Sequence, residues 1–316
     1  MSSAPQPPSP LDSQSWEEFS RRCLKSDPLR RGTWTARRWG RPAALRITCV
    51  VAPHGITAHQ ATLSACAAAV VAVVAFGWGS PLGWLCGVIA LHAWYLLDHV
   101  DGQLARFRGT ASLDGTWLDY LMHHNLNLLL PAAIGFGLAR HTGFVAWAAV
   151  GLWWGWGSLL LGLRHDAKYK AFVRRWKSLE GELRLVGGGG GRPEPAYLPP
   201  RSFRRWLNWC VLKCYETHIV ICGLTMLTAA RLLAGEFGEE AAQLFVAAAA
   251  VPAPLLACNL IRRSLAQGET EAEFAAWFRL PDAAELEEVG DAWHIRRNDA
   301  NDSRTSNREP AGKRPS

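Results

Sequence analysis

Six apolar runs of about 20 residues dominate the chain, at roughly 58–79, 82–104, 113–139, 142–163, 210–234 and 241–261. A helix of that length crosses the hydrocarbon layer of a bilayer. Lipid offers backbone N–H and C=O groups no other partner, so each run has to be helical. The expected fold is therefore all-α: a polytopic membrane protein, a bundle of six transmembrane helices with polar cytoplasmic tails. Apolar residues make up 49% of the 316, and they are gathered into these blocks rather than spread evenly. That excludes a pair of ordinary soluble domains.

Basic residues orient the bundle. Nine Lys and Arg precede the first run, and eleven fall within 164–205. Between the first and second runs there are none, and only Arg140 lies between the third and fourth. Under the positive-inside rule this alternation puts both termini in the cytoplasm. The net charge of +7 is then a topology signal, with anionic lipid as a second attraction. Nucleic acid is not an expected partner. The first forty residues are polar and lack the pattern of a cleaved signal peptide. Eight cysteines without a CxxC pair imply no disulfide framework or zinc site.

The polar segments divide as follows. Residues 1–33 read as a disordered tail, and the Trp/Arg-rich 34–50 as a helix along the membrane surface. A membrane domain covers 34–263, with a flexible cytoplasmic segment at 164–209 whose Gly/Pro run 187–200 is a linker. Residues 264–316 form a polar tail with an amphipathic helix at 269–289. Tryptophans at 78, 84, 147, 153, 154 and 156 suit interfacial anchors.

The chemistry is concentrated in "LLDHVDGQLARFRGTASLDGTWLDYLMHH", residues 96–124. Ionisable groups in membrane spans are costly and mark function by default. Asp98 and Asp101 are three apart and share a helix face; Asp119 and His123 are four apart on the next run. If the two runs pack as an antiparallel hairpin, three carboxylates and an imidazole converge near the cytoplasmic interface. Uncompensated carboxylates there would repel each other, so protons or cations must accompany them. Such an oxygen-rich group suits Mg²⁺ holding a phosphorylated substrate. Gly102 and Ala105 leave room for a nucleotide, and Arg106 can meet a phosphate. The competing reading, acids that pair with Arg106 and Arg108 at loop ends, does not account for the whole spaced set.

The spacing D-x2-D-G-x2-A-R-x8-G-x3-D-x3-D resembles that of the CDP-alcohol phosphotransferase (CDP-alcohol phosphatidyltransferase) family. Here it reads Asp98, Asp101, Gly102, Ala105, Arg106, Gly115 and Asp119, with His123 in the last acidic place. The start of the first run, "ITAHQATL", is similar to the family's P-N-x2-T, with Ala58 and His59 replacing Pro and Asn and Thr62 retained. The resemblance implies transfer of a phosphatidyl or substituted phosphoryl group from a CDP-linked donor, often CDP-diacylglycerol, to a small alcohol acceptor, with CMP released. It implies two Mg²⁺ ions held by Asp98, Asp101, Asp119 and the residue at 123. Gly102, Ala105, Arg106, Gly115 and Thr62 would line the nucleotide site. Phospholipid synthesis in the cytoplasmic membrane and a homodimer are further implications.

His123 is the departure. Imidazole, with a reference pKa of about 6.5, can take a proton near neutral pH. It serves Mg²⁺ less well than a carboxylate does. Three outcomes remain: turnover with His123 as base, a preference for Mn²⁺, or a catalytically silent relative that binds nucleotide or metal as a regulatory subunit. A transporter reading leaves the Gly, Ala and Arg positions without a purpose. Arg164, Lys168, Arg262 and Arg263 are candidates for a phosphate on the acceptor, and equally for topology or headgroup contact. Asp114 is expected to cap the third span, and His92, His99 and His124 to pack.

Overall fold

The computed structural model describes residues 13–24, 33–180, 184–185, 202–279, 286–289 and 292–295. The chain divides into two compact units, one of residues 1–163 with 197–261, the other of 164–196 with 262–316. Helices build the first unit: α1 (Ser13–Cys23), α2 (Arg41–Val51), α3 (Ala58–Trp78), α4 (Pro81–Arg108), α5 (Leu113–Thr142), the first half of α6 (Ala146–Ser178), α7 (Phe203–Cys214), α8 (Thr217–Leu233), α9 (Glu236–Ala250) and most of α10 (Pro252–Ala266).

Local sequence sets the helix starts. The Thr57 hydroxyl accepts from the Gln60 amide at 3.2 Å, while the Gln60 side chain accepts from the Thr57 amide at 2.9 Å. This reciprocal capping box opens α3. Ser80 caps α4, with Pro81 at its first position. Ser112 caps α5 by accepting from the Gly115 amide. Asp114, expected as that cap, instead lies in the first turn.

The core forms where α3, α4, α5, α8 and α9 meet. Phe76, Trp84, Leu91, Trp94, Ile134, Leu138, Ile221 and Leu224 are buried there. On α3 the small residues Ala65, Ala69 and Ala72 face this core, while Val70, Val71 and Val74 are exposed. A helix apolar on both faces is what a lipid-facing packing surface requires. Trp84 and Trp154 are core residues rather than interfacial anchors.

Close backbone contact joins several helices. Gly79 ends α3 at φ 83°, and a Cβ there would lie 2.1 Å from the Gly137 carbonyl of α5. Gly135 and Gly151 bring α5 against α6 in the same way, since a Cβ on Gly135 would lie 2.6 Å from the Gly151 Cα.

Four of the six expected runs fall in helices with the length and composition of a span. Among the described residues, four helical stretches are long and apolar enough to cross a membrane: 58–78, 81–108, 146–177 and 236–266. The helix at 113–142 is long enough, but its first half carries the acids and histidines of the motif. The run at 210–234 is broken at Tyr215 and Glu216, where extended backbone at Glu216 starts the 17-residue α8. The run at 241–261 divides at Val251, where Pro252 and Pro254 withdraw two backbone donors.

Other expectations also change. Residues 13–23, read as part of a disordered tail, form α1, because Phe19 and Cys23 find a buried place. Residues 34–51 are helical, with a π-helical turn at Ala36–Gly40. Residues 164–178, read as flexible, continue α6. The linker at 187–200 and the tail at 296–316 lie outside the described residues.

The second unit joins the end of α6 to α11 (Glu269–Trp277). Phe172 meets Phe274 edge-on at 5.3 Å, and Lys168 pairs with Glu273 at 3.3 Å and Glu269 at 3.5 Å. Arg175 pairs with Glu271. Helix at 269–289 was expected, but α11 stops at Trp277. Among the described residues it also holds five short strands: β1 (Leu179–Glu180), β2 (Arg184–Leu185), β3 (Phe278–Arg279), β4 (Leu286–Val289) and β5 (Ala292–Ile295). β5 pairs parallel with β1 and antiparallel with β4, and β2 pairs antiparallel with β3. The fold is thus helical, with these strands as the exception to the all-α expectation.

Candidate active site

α4 and α5 both pack against α3, and the turn between them passes through Gly109 in a left-handed conformation (φ 65°). α4 presents Asp98, Asp101, Gly102, Ala105 and Arg106, and α5 presents Gly115 and Asp119. All seven, with Thr62 of α3, line a single cavity of about 780 Å³. Eight of the nine residues expected at the site are therefore brought together.

The ninth, His123, is not on that wall. Its Nε2 lies 3.1 Å from Oδ1 of Asp98 and 3.3 Å from Oδ1 of Asp119. Its ring meets Trp94 edge-on at 5.4 Å. Asp98, Asp119 and His123 offer ligand atoms that all lie within 4.8 Å of one another. Two hard carboxylate oxygens with one imidazole nitrogen form a donor set that accepts Mg²⁺ and tolerates Mn²⁺ better. The residues present thus fit a divalent cation.

Asp101 stands apart from this trio and has its own support. The Thr62 hydroxyl donates to its Oδ2 at 2.8 Å. Thr62 is buried, and the same hydroxyl proton is shared with the Ala58 carbonyl at the longer distance of 3.1 Å. An oriented hydroxyl of this kind fixes the direction of a carboxylate's second oxygen. Thr62 therefore meets Asp101 as well as lining the cavity.

Sequence reading set His99 aside as a packing residue. In the structure its Nδ1 lies 3.5 Å from Oδ2 of Asp98, and its ring packs on Tyr95 at 4.7 Å. A Cβ on Gly40 would come within 3.2 Å of the same ring. Position 99 directly follows an acid, but one histidine on a helix gave no signal of that contact. Gln103 joins the motif helix to α2: its Oε1 accepts from the Thr48 hydroxyl at 2.8 Å, and its Nε2 donates to the Arg41 carbonyl at 3.2 Å.

The two motif-adjacent arginines differ from expectation in what they hold. Arg106 Nε donates to the Cys23 carbonyl at 2.6 Å. Arg108 donates to the Ala52 and Gly55 carbonyls at 3.0 and 3.3 Å, closing the turn before α3. Neither forms an ion pair with the motif acids among the described residues. Lys168, a candidate for acceptor phosphate, is engaged by Glu269 and Glu273. Cys23 is fully buried beside Arg106, and burial pushes its thiol up to about 12, against a smaller opposing pull from the guanidinium.

A second polar cluster was missed. Arg231 of α8, its side chain fully buried, donates to Glu239 of α9 at 2.7 and 2.9 Å and to the Gly79 carbonyl at 2.9 Å. Its guanidinium lies over the Trp84 ring at 4.4 Å, and His141 of α5 reaches the same Glu239 oxygen at 3.2 Å. The cluster ties five helices together, away from the cavity.

No curated protein matches the chain. Residues 51–175 match the family model of the CDP-alcohol phosphatidyltransferases. That segment contains α3, α4 and α5, the three helices that supply the acids and Thr62. Most of the residues that line the cavity lie within this matched segment, which is similar to the CDP-alcohol phosphatidyltransferases.

Proposed function

We propose that the protein transfers a phosphatidyl group from CDP-diacylglycerol to a small alcohol, releasing CMP, in phospholipid synthesis. The observation that carries this reading is the convergence of Asp98, Asp101 and Asp119 from two helices on one cavity beside Gly102, Ala105 and Arg106. Asp98, Asp119 and His123 would hold a divalent cation, with Asp101 oriented by Thr62 toward the same cavity. Bound there, Mg²⁺ or Mn²⁺ would neutralise the diphosphate and the departing CMP.

The chain's own groups then divide the work. Gly102 and Ala105 let the nucleotide approach the α4 backbone, and Arg106 meets a phosphate. The acceptor hydroxyl attacks the phosphorus that carries the lipid, and the bond from that phosphorus to the CMP oxygen breaks. Asp119 lines the cavity with His123 Nε2 at 3.3 Å, and the Asp119 carboxylate oxygen not engaged by a cation takes up the hydroxyl proton. The six apolar runs would cross the cytoplasmic membrane with both termini and the site on the cytoplasmic side. A homodimer is part of the same reading.

One observation favours a second reading. His123 Nε2 is already directed at two carboxylates, and its ring is off the cavity wall. A silent relative that retains donor and metal but lacks a base would look like this. Purified protein in liposomes, given CDP-diacylglycerol, Mg²⁺ or Mn²⁺ and a panel of alcohols, separates the two. CMP release with any acceptor supports the transferase. CDP-lipid binding with no CMP from any acceptor and either metal overturns it in favour of the silent relative.

A further inference from the structure

The arginine of the motif is tied to the N-terminal helix rather than to the acids. Arg106 Nε donates at 2.6 Å to the carbonyl of Cys23, the last residue of α1. That carbonyl is one of the acceptors a helix leaves unpaired in its final turn, at the negative end of its dipole. A guanidinium is therefore a natural partner for it.

α1 is firmly seated. Phe19 and Cys23 are 2% and 0% exposed, in a cluster with Val100, Leu104 and Phe107 of the motif helix. Phe19 meets Phe107 edge-on at 5.0 Å. The guanidinium itself folds along α4 over Gly102, where a Cβ would come within 3.2 Å of Nη1 and 3.4 Å of Nη2. Arg106 and Leu24, the residue after α1, both line the cavity.

We infer that α1 is a working part of the donor pocket: its terminal carbonyl sets the Arg106 guanidinium for the diphosphate of the CDP-linked donor. Phe19 is the positioning residue that seats α1. The inference rests on the donor reading proposed above. The bond to Cys23 engages Nε, which leaves the paired Nη donors for phosphate oxygens. Released from Cys23, the long side chain regains its rotamers and has to be ordered again when ligand binds. Gly102 then serves two purposes, space for the nucleotide and space for the arginine that greets it.

Full-length protein in lipid nanodiscs allows the test, with CDP and Mg²⁺ as the probe. Trypsin cleavage after Arg21 and Arg22 reports whether α1 is seated, and calorimetry reports CDP affinity. Phe19→Asp should speed cleavage and weaken CDP binding about tenfold, the effect of losing one oriented charge-assisted hydrogen bond. Arg106→Ala should weaken it at least as much, and the double variant no further, because both changes remove one interaction. Phe19→Leu should behave as wild type. Phe19→Ala is the milder second variant, and only proteins that elute as the wild type on size exclusion are compared. Rapid cleavage with unchanged CDP affinity overturns the role of α1 alone, as does full additivity in the double variant. A wild-type protein that binds no CDP overturns the donor reading and this inference together.

Discussion

Nε2 of His123 lies 3.1 Å from Oδ1 of Asp98, so an imidazole on α5 is locked to the first acid of the motif on α4. The same nitrogen is 3.3 Å from Asp119. It bridges two carboxylates where a fourth carboxylate would repel them. His123→Asp should therefore raise the need for a cation and strengthen activation by Mg²⁺, moving half-maximal activation to lower concentration by about tenfold, the value of one added charged ligand contact. CMP release against Mg²⁺ concentration measures this. Loss of existing activity in His123→Asp would show instead that the imidazole is itself required.

The Thr62 hydroxyl holds Asp101 from a neighbouring helix at 2.8 Å. Thr62→Val keeps the shape of the side chain and removes the donor, leaving a half-buried carboxylate oxygen without its partner at a cost of about 1–3 kcal/mol. Catalysis should fall roughly tenfold or more, and the unfolding midpoint should drop by a few degrees. Thr62→Ser should restore most of the loss. Equal damage in both variants would mean that the methyl group, not the hydroxyl, matters.

The Cys23 thiol reports on the seat of α1. Burial pushes it up to about 12 from an ordinary value of 9.0. Only the thiolate alkylates, so at pH 8 a chain with Cys23 as its sole cysteine should react about a thousandfold more slowly than a free thiol. The rate should climb with each pH unit toward 12. Phe19→Asp should bring the midpoint back toward 9. An iodoacetamide rate profile between pH 7 and 10 decides it, and rapid labelling of the seated protein at pH 8 would refute the burial argument.

Much of the site was legible because its spacing is short-range. Asp98 and Asp101, three apart, and Asp119 and His123, four apart, need only helical periodicity to share faces. Gly109 and the Ser112 cap then turn the chain from α4 into α5, and both helices pack on α3. What escaped was carried by partners far along the chain. Thr62 reaches Asp101 across 39 positions, Arg106 reaches Cys23 across 83, and Arg231 reaches Gly79 across 152. No periodicity records such pairs. The helix breaks near Glu216 and Val251 escaped for another reason: hydropathy averages over a window and passes smoothly across one extended residue or one proline.

Orientation follows from charge and can be measured by access. Val145, 80% exposed, lies between α5 and α6, and Ser202 is exposed just before α7. With the native cysteines replaced, Val145→Cys should react with a membrane-impermeant maleimide added to intact cells. Ser202→Cys should react only after permeabilisation, because the proposed orientation puts the eleven basic residues within 164–205 on the cytoplasmic side. The reverse pattern would invert the bundle and put the cavity on the outer face.

Arg231 and Glu239 form the most buried ion pair described, with side chains 0% and 19% exposed. The guanidinium also holds the Gly79 carbonyl and covers Trp84, so α3, α4, α8 and α9 all depend on it. Removing one member leaves the other charge buried, which typically costs about 3–5 kcal/mol. Arg231→Met should therefore lower the unfolding midpoint in detergent by several degrees. Glu239→Gln should do less harm, since its amide oxygen can still accept from Arg231. Replacing both, as Arg231→Met with Glu239→Leu, removes the stranded charge and should recover part of the loss. His141, which also reaches Glu239, would then lose its partner. If the double replacement is no more stable than Arg231→Met alone, the penalty comes from the lost Gly79 and Trp84 contacts rather than from the unpaired carboxylate.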